Sequence, residues 1–401
     1  MTPSPVLDLG FLGFEQGAHL LVQRALRDLP PGAELGVTGL DAALPVHLRA
    51  WCDVRGHGVR EPDGHSDTGI RAWVIRGRAD LDHWAGAQRA GGPRPDGIVA
   101  RADPGWGLAA RGALVEPGGP VPGYDLIDRD LVWADIAPTL YASAVAAQWK
   151  PDEVIAWDAT FALPDEIERA VVQVMTYLVE CEQVALVVPA RLLARIHPHF
   201  REVQQLLAVQ AADEARHLEV FARRALLRGG ELGTSSVSGR ESLATLLTEP
   251  DFSLATFLLS VLGEGSFLNL LSFLDRHAPD PVTRQVTRLA RQDEARHVAF
   301  GVAHLQHQAA VDPALRGRLR AAVERRHDAL SDSTGLNQDV FDSLVVLAAG
   351  EWTPEAIRRG HEAVRLLHQE MDEGRQHRLL RLGFRADEAA ELSALHTHNF
   401  I

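Results

Sequence analysis

The pentapeptide Asp213-Glu214-Ala215-Arg216-His217 returns, letter for letter, as Asp293-Glu294-Ala295-Arg296-His297. Each copy sets a Glu three residues ahead of a His, so on a helix both side chains share one face and can grip one metal centre. About thirty residues before each copy a Glu stands inside an apolar run, Glu182 before the first and Glu264 before the second. Two apolar helices with one Glu each, and two with Glu-x-x-His, supply the ligand set of a four-helix bundle around two metal ions. A helix face laced with ion pairs is the plain alternative for one copy. Two copies with matching inner glutamates favour the metal site.

The first inner position has two claimants. Neighbours of Glu182 at helical spacing are Met175, Leu178, Val179, Ala185 and Leu186, an apolar stripe, whereas Glu180 shares its side with Gln173, Thr176 and Gln183. A Glu on the buried stripe needs a strong reason to be there. Glu182 is therefore the expected ligand and Glu180 the fallback. Glu264 is set among Phe257, Ser260, Val261, Phe267, Leu268 and Leu271. Its flanking glycines, Gly263 and Gly265, each cost a helix about 1 kcal/mol and leave room for a ligand or for close helix packing. Asp213 and Asp293 can each accept the ring N–H of the histidine on the opposite helix, Asp293 serving His217 and Asp213 serving His297. Arg216 and Arg296 are expected to pair with carboxylates at the bundle's flank, and His304, two turns beyond His297, to be packed or to support a ligand and not to be a third ligand itself.

Periodicity and stop signals predict bundle helices over 164–196, 198–227, 252–277 and 281–308, with Pro189 kinking the first and Gly233–Ser236 marking a long crossover. A helix over 131–149, broken at Pro138, leads into a polar-aromatic stretch around Trp149 and Trp157 that is expected to lie across one end of the bundle. Later helices are predicted over 315–330, 340–349, 354–370 and 386–396, with a break at 331–335.

The N-terminal part alternates differently. Strands over 6–12, 34–38 and 70–76 and helices over 16–29 and 44–52 predict a small two-layer α/β domain. The expected organisation is that domain over 1–79, a Gly/Pro-rich linker over 80–130 and a helical domain over 131–401. The fold class is thus mainly α: a four-helix bundle with extra flanking helices behind a small α/β domain. LDLGFLGFE, PPGAELGV and AWCDVRGHGV give the first domain a look that resembles the TusA-like sulfur-carrier fold. That family carries its persulfide on a Cys-Pro-x-Pro motif, and the matching positions here are Phe14, Glu15, Gln16 and Gly17. The resemblance therefore implies a degenerate domain with a scaffold, docking or oligomerisation role. Cys52 reads as buried packing.

Bulk properties narrow the partners. With 40 basic and 54 acidic residues the formal charge is −14, which disfavours nucleic acid and anionic membranes. The two cysteines, Cys52 and Cys181, suggest no disulfide framework. The first residues lack the basic region of a signal peptide, and no uninterrupted apolar run reaches membrane-spanning length. A cytoplasmic protein is expected.

Four carboxylates and two imidazoles suit iron or manganese, and four Glu anions balance two divalent ions. Without metal, buried carboxylates cannot all stay ionised, and the bundle should loosen. On these residues the region 164–310, and more loosely 130–400, resembles the ferritin-like dimetal-carboxylate superfamily in its DEARH-bearing, oxidase-like branch. By position this implies Glu182, Glu214, His217, Glu264, Glu294 and His297 as ligands, Glu214 and Glu294 bridging, and no catalytic residue beyond them. The radical tyrosine of ribonucleotide reductase relatives is replaced by Phe221, and the extra histidine of aminoarene N-oxygenases by Ala290. The resemblance implies an O2-dependent non-haem diiron oxidase or oxygenase acting on a small organic substrate. Its cofactor would be two Fe ions, or Mn with Fe, with O2 as co-substrate. A homodimer with an external electron donor is expected. Ferroxidase or peroxide-detoxifying activity, or a metal-braced scaffold that docks a partner through its N-terminal domain, are the alternatives.

Overall fold

The structure, a computed structural model, describes residues 4–62, 69–330 and 338–396. The chain divides into two units: one takes it as far as Ala90 and adds Gly112–Pro120, the other takes Gly91–Arg111 and everything from Val121.

In the first unit β1 (Val6–Asp8), α1 (Ala18–Arg27), β2 (Glu34–Thr38), α2 (Leu44–Arg55), β3 (Gly58–Arg60) and β4 (Ile70–Ile75) follow one another. The sheet order is β1-β2-β4-β3, with β1 parallel to β2 and the other pairs antiparallel. Helix α1 turns Ala18, Val22 and Leu26 inward and α2 turns Leu44, Leu48 and Cys52, each set four residues apart. Leu35 and Val37 of β2 and Ala72 and Val74 of β4 alternate towards them. Burial pushes the Cys52 thiol up to about 12, which suits packing and not a reactive thiolate. The extra strand β3 follows because Gly56, at φ +67°, caps α2 in the left-handed region and turns the chain straight back. Helix α3 (Ala79–His83) and a ribbon of β5 (Gln88–Arg89) with antiparallel β6 (Leu114–Val115) complete this unit.

The second unit is helical: α4 (Ala137–Ala146), α5 (Pro151–Val154), α6 (Asp165–Leu193), α7 (Arg201–Leu226), α8 (Val237–Thr248), α9 (Phe252–Thr256), α10 (Gly265–His277), α11 (Pro281–Val311), α12 (Leu315–Leu330), α13 (Gln338–Ala349), α14 (Pro354–Arg381) and α15 (Ala386–Ala394). Helix α6 pairs along α7, and α9–α10 along α11, giving two hairpins that face each other through α7 and α11. Outside them α13 lies on α6 and on α14, and α14 on α10. Acidic Asp165, Glu166 and Glu168 open α6, and Asp280 caps α11 by accepting from Thr283 N at 2.8 Å. Fully buried Arg224 then ties three helix ends together, reaching Glu168 at 2.7 Å and Asp280 at 2.8 Å. Residues 91–111 run against the start of α7, where Arg111 grips Glu202 at 2.5 and 2.9 Å.

Several local expectations change. The break at 331–335 lies outside the described residues. Pro138 does not interrupt a helix but opens α4, where its missing N–H costs nothing. The crossover carries a helix of its own, α8, capped by Ser236. The polar stripe of Gln173 and Thr176 is buried, because Gln173 exchanges hydrogen bonds with the Thr234 backbone and Thr176 accepts from Gly233 N. The third bundle helix is not uniformly α: Phe257–Glu264 is π-helical between α9 and α10. Asp165–Leu193 and Phe252–His277 are long and apolar enough to cross a membrane, yet most of each is buried within the protein.

Candidate metal centre

Glu182 projects from α6, Glu214 and His217 from α7, Glu264 from the last residue of the π turn, and Glu294 and His297 from α11. All six are buried, none more than 4% exposed. They form two overlapping clusters. Glu182, Glu214, His217 and Glu294 make one, and Glu214, Glu264, Glu294 and His297 the other, with ligand atoms within 4.8 Å of one another in each. An ion with bonds of about 2.1 Å holds opposed ligands about 4.2 Å apart, so a contraction of a few tenths of an ångström would close either cluster. Glu214 and Glu294 belong to both. Half-buried Glu180 belongs to neither.

The donors are aimed as a metal site requires. His217 Nδ1 lies 3.1 Å from Glu214 Oε2 and 3.7 Å from Glu182 Oε1. His297 Nδ1 lies 2.9 Å from Glu214 Oε1 and 3.3 Å from Glu294 Oε2. Glu182 Oε1, Glu214 Oε1, Glu264 Oε2 and Glu294 Oε1 are buried without a well-formed hydrogen bond, and all but Glu264 Oε2 face only an imidazole Nδ1. Carboxylate oxygens stranded this way cost several kcal/mol unless a cation meets them. The residues present fit a pair of divalent ions.

The opposite edge of each imidazole is held by an aspartate. His217 Nε2 is 3.0 Å from Asp293 Oδ2, and His297 Nε2 is 3.4 Å from Asp213 Oδ2. Donating from Nε2 leaves the Nδ1 lone pair for a metal. Arg216 Nη2 reaches Asp213 at 2.5 Å and Asp293 at 2.8 Å, while Arg296 Nη2 contacts both aspartates from the other side. Two guanidinium charges therefore cancel two aspartates, and the four glutamates remain for the ions. The polar-aromatic stretch joins here through two residues to which the sequence assigned no contact. Gln148 donates to Asp213 at 2.8 Å, and Trp149 Nε1 donates to Asp293 at 2.8 Å with its ring stacked on His217. Their only signal was a polar-aromatic lead-in.

Protons take the ions' part in the metal-free site. Burial, with the nearby Glu214 and Glu294 charges, raises Glu182 well above the usual carboxylate range; burial beside Glu294 does the same to Glu264. Burial works against ionised Glu214, but the His297 charge and the His217 hydrogen bond hold its pKa low. Burial likewise works against the imidazolium form of His217 and His297. The Asp293 hydrogen bond to His217 and the Glu214 charge beside His297 nevertheless hold both values well up.

Beside the centre lies a cavity. Glu182, Glu264 and Glu294 form one wall; Cys181, Ala185, Leu243, Leu246, Leu259 and Phe267 form the rest. Leu243 and Leu246 come from α8, so the crossover helix lines one side of the cavity. Phe221 is buried 6.3 Å, ring to ring, from His217. Ala290 is buried on α11. His304 bonds Ser253 Oγ at 2.9 Å and the Trp133 carbonyl at 3.0 Å, and burial lowers it to about 4, as a packed neutral histidine requires.

Solved structures similar to this chain include a point mutant of an R2-like ligand-binding oxidase with an aerobically reconstituted Mn/Fe cofactor, at TM-score 0.43 and 19% identity over 63% of this chain and 93% of that one. R2-like ligand-binding oxidase from Sulfolobus acidocaldarius matches at TM-score 0.41 and 15% identity, over 60% and 91%. A protein with aldehyde deformylating oxidase activity from Synechococcus matches at 0.40 and 19%, over 57% and 96%. No protein-family model and no curated protein matches the sequence. The chemistry of the centre stands on its own atoms.

Proposed function

We propose that this chain is a non-haem dimetal oxidoreductase that uses O2 to oxidise a small organic substrate. The observation that carries the reading is the set of four stranded glutamate oxygens converging with two aspartate-oriented imidazoles beside an apolar cavity. Glu182, Glu214, His217, Glu264, Glu294 and His297 would hold two ions, Fe with Fe or Mn with Fe, with Glu214 and Glu294 shared. When bound, such a pair supplies the electrons that reduce dioxygen.

The chain's own residues do the rest. Asp293 and Asp213 fix the tautomers of His217 and His297 and keep their ring planes in place. The apolar walls Leu243, Leu246, Leu259 and Phe267 favour a substrate whose reacting end is apolar, admitted once they move apart, since the cavity as it stands has room for about one water. Half-buried Trp149 reaches His217 through Asp293, which makes this the side where an external electron donor would act. A storage protein needs no such cavity, which sets the oxidase reading ahead of iron deposition. We read the protein as a cytoplasmic homodimer.

The test is anaerobic loading with Fe(II), a metal count, and rapid mixing with O2. Two ions per chain and a new absorption band on mixing are expected. Many ions per chain would point to storage, and two ions without any O2 response would leave a metal-braced scaffold.

A further inference from the structure

Glu264 differs from Glu182 in the backbone that carries it. Glu182 sits within an ordinary α-helix, whereas Glu264 is the last residue of the eight-residue π segment Phe257–Glu264. π-helical turns are rare and, where they occur, frequently lie at functional sites. Two neighbouring carbonyls of this turn take side-chain donors, one from the same helix and one from outside it. Leu262 O accepts from Ser266 Oγ at 2.8 Å, and Val261 O accepts from Arg378 Nε at 2.6 Å.

Arg378 comes from α14, a helix outside the bundle, and the packing makes room for it. A Cβ at Gly265 would collide with the guanidinium, lying 2.5 Å from its Cζ. Gly301 of α11 makes similar room on the far side, where a Cβ would stand 2.8 Å from Ser260 Cβ. Among the described residues no carboxylate pairs with Arg378, and its Nη2 is buried without a hydrogen bond. Burial lowers this guanidinium to about 10, so its charge is costly where it stands. What it makes there is the contact to Val261.

We propose that Arg378 is a positioning residue for the metal centre: it clamps the π turn from outside the bundle and thereby sets where Glu264 points. This rests on the dimetal reading above. It also accounts for Gly265 through the guanidinium and not through space for a ligand.

The test uses the full metal-free chain titrated with Co(II), whose d–d absorption reports the ligand geometry. Arg378→Met keeps the stem and removes the donor; Arg378→Gln places an amide nitrogen the same number of bonds from the backbone as Nε. Arg378→Met is expected to weaken one of the two Co(II) ions by about tenfold and change its absorption with far-UV circular dichroism unchanged, and Arg378→Gln to recover affinity to within about threefold. If Arg378→Met does not fold, Gly265→Ala, which crowds the guanidinium, takes its place with the same expected loss. Wild-type affinity for both ions in the donor-free variant, or equal weakening in the Met and Gln variants, overturns the assignment. A wild-type chain that binds no pair of ions overturns the dimetal reading itself.

Discussion

Replacing Asp293 by Asn is the sharpest probe of how the centre is held. Asp293 Oδ2 takes three donors, His217 Nε2 at 3.0 Å, Trp149 Nε1 at 2.8 Å and Arg216 Nη2 at 2.8 Å, while Oδ1 faces Arg296. An asparagine keeps one acceptor. Turned to serve the three donors, it presents an NH2 to Arg296, a donor against a donor. Breaking one side of a buried ion pair costs about 3–5 kcal/mol. Asp213 still faces both guanidinium groups, and the two arginine side chains are 10% and 11% exposed, which puts the cost near the lower end, about 3 kcal/mol. His217 keeps a weaker acceptor, so the affinity of the ion it holds should fall by about tenfold. Urea unfolding of the metal-free protein and a chelator-competed Mn(II) titration read the two effects separately. Wild-type affinity together with a stability change under about 1 kcal/mol would refute the account of Asp293 as the group that orients His217.

Three further outcomes follow from the same geometry. Glu182→Gln should lose one ion while Glu180→Gln keeps both, read by metal analysis after dialysis. Ala185→Val, which takes up much of a cavity with room for about one water, should leave both ions bound yet slow substrate-dependent O2 consumption. Stability should depend on pH in opposite senses with and without metal. In the metal-free chain Glu182, Glu264, His217 and His297 have raised values, so their contribution is lost as pH rises; Glu214, Asp213 and Asp293 are held low, so theirs is lost as pH falls. For these groups the optimum lies near about pH 4–5, with a steeper decline above about 6.5 where unfolded histidines lose their protons. Metal binding displaces those protons and strengthens with pH, so the gap in Tm between loaded and metal-free protein should widen from acid to alkaline pH.

How much of this could be read from the chain varies with the range of the interaction. Spacing within one helix was informative: Glu-x-x-His and the apolar stripe around Glu182 carry their geometry in their period, and the structure brings those side chains together. The crossed aspartate–histidine contacts were also legible, since two copies of one motif on facing helices leave few partners. The Trp149 and Gln148 contacts were not legible, because they join a loop to helices far along the chain with no periodic trace. Helix α8 was hidden for a related reason, since Gly233–Ser236 reads as loop and the following residues are only modestly amphipathic. The π turn was invisible because its residues read as a good α-helix. The contacts it makes with α11 and with Arg378 come from far along the chain and leave no periodic trace.

That turn breaks a symmetry which the repeated pentapeptide suggests. Two copies of DEARH invite the picture of a duplicated hairpin with interchangeable halves, yet only one inner glutamate rides on a widened turn clamped from outside the bundle. The two sockets are therefore carried by different backbone, although their side chains match. Unequal sockets can sort unlike ions. They can also be filled in a fixed order, which a stepwise titration with a spectroscopically distinct metal would show as one socket loading before the other.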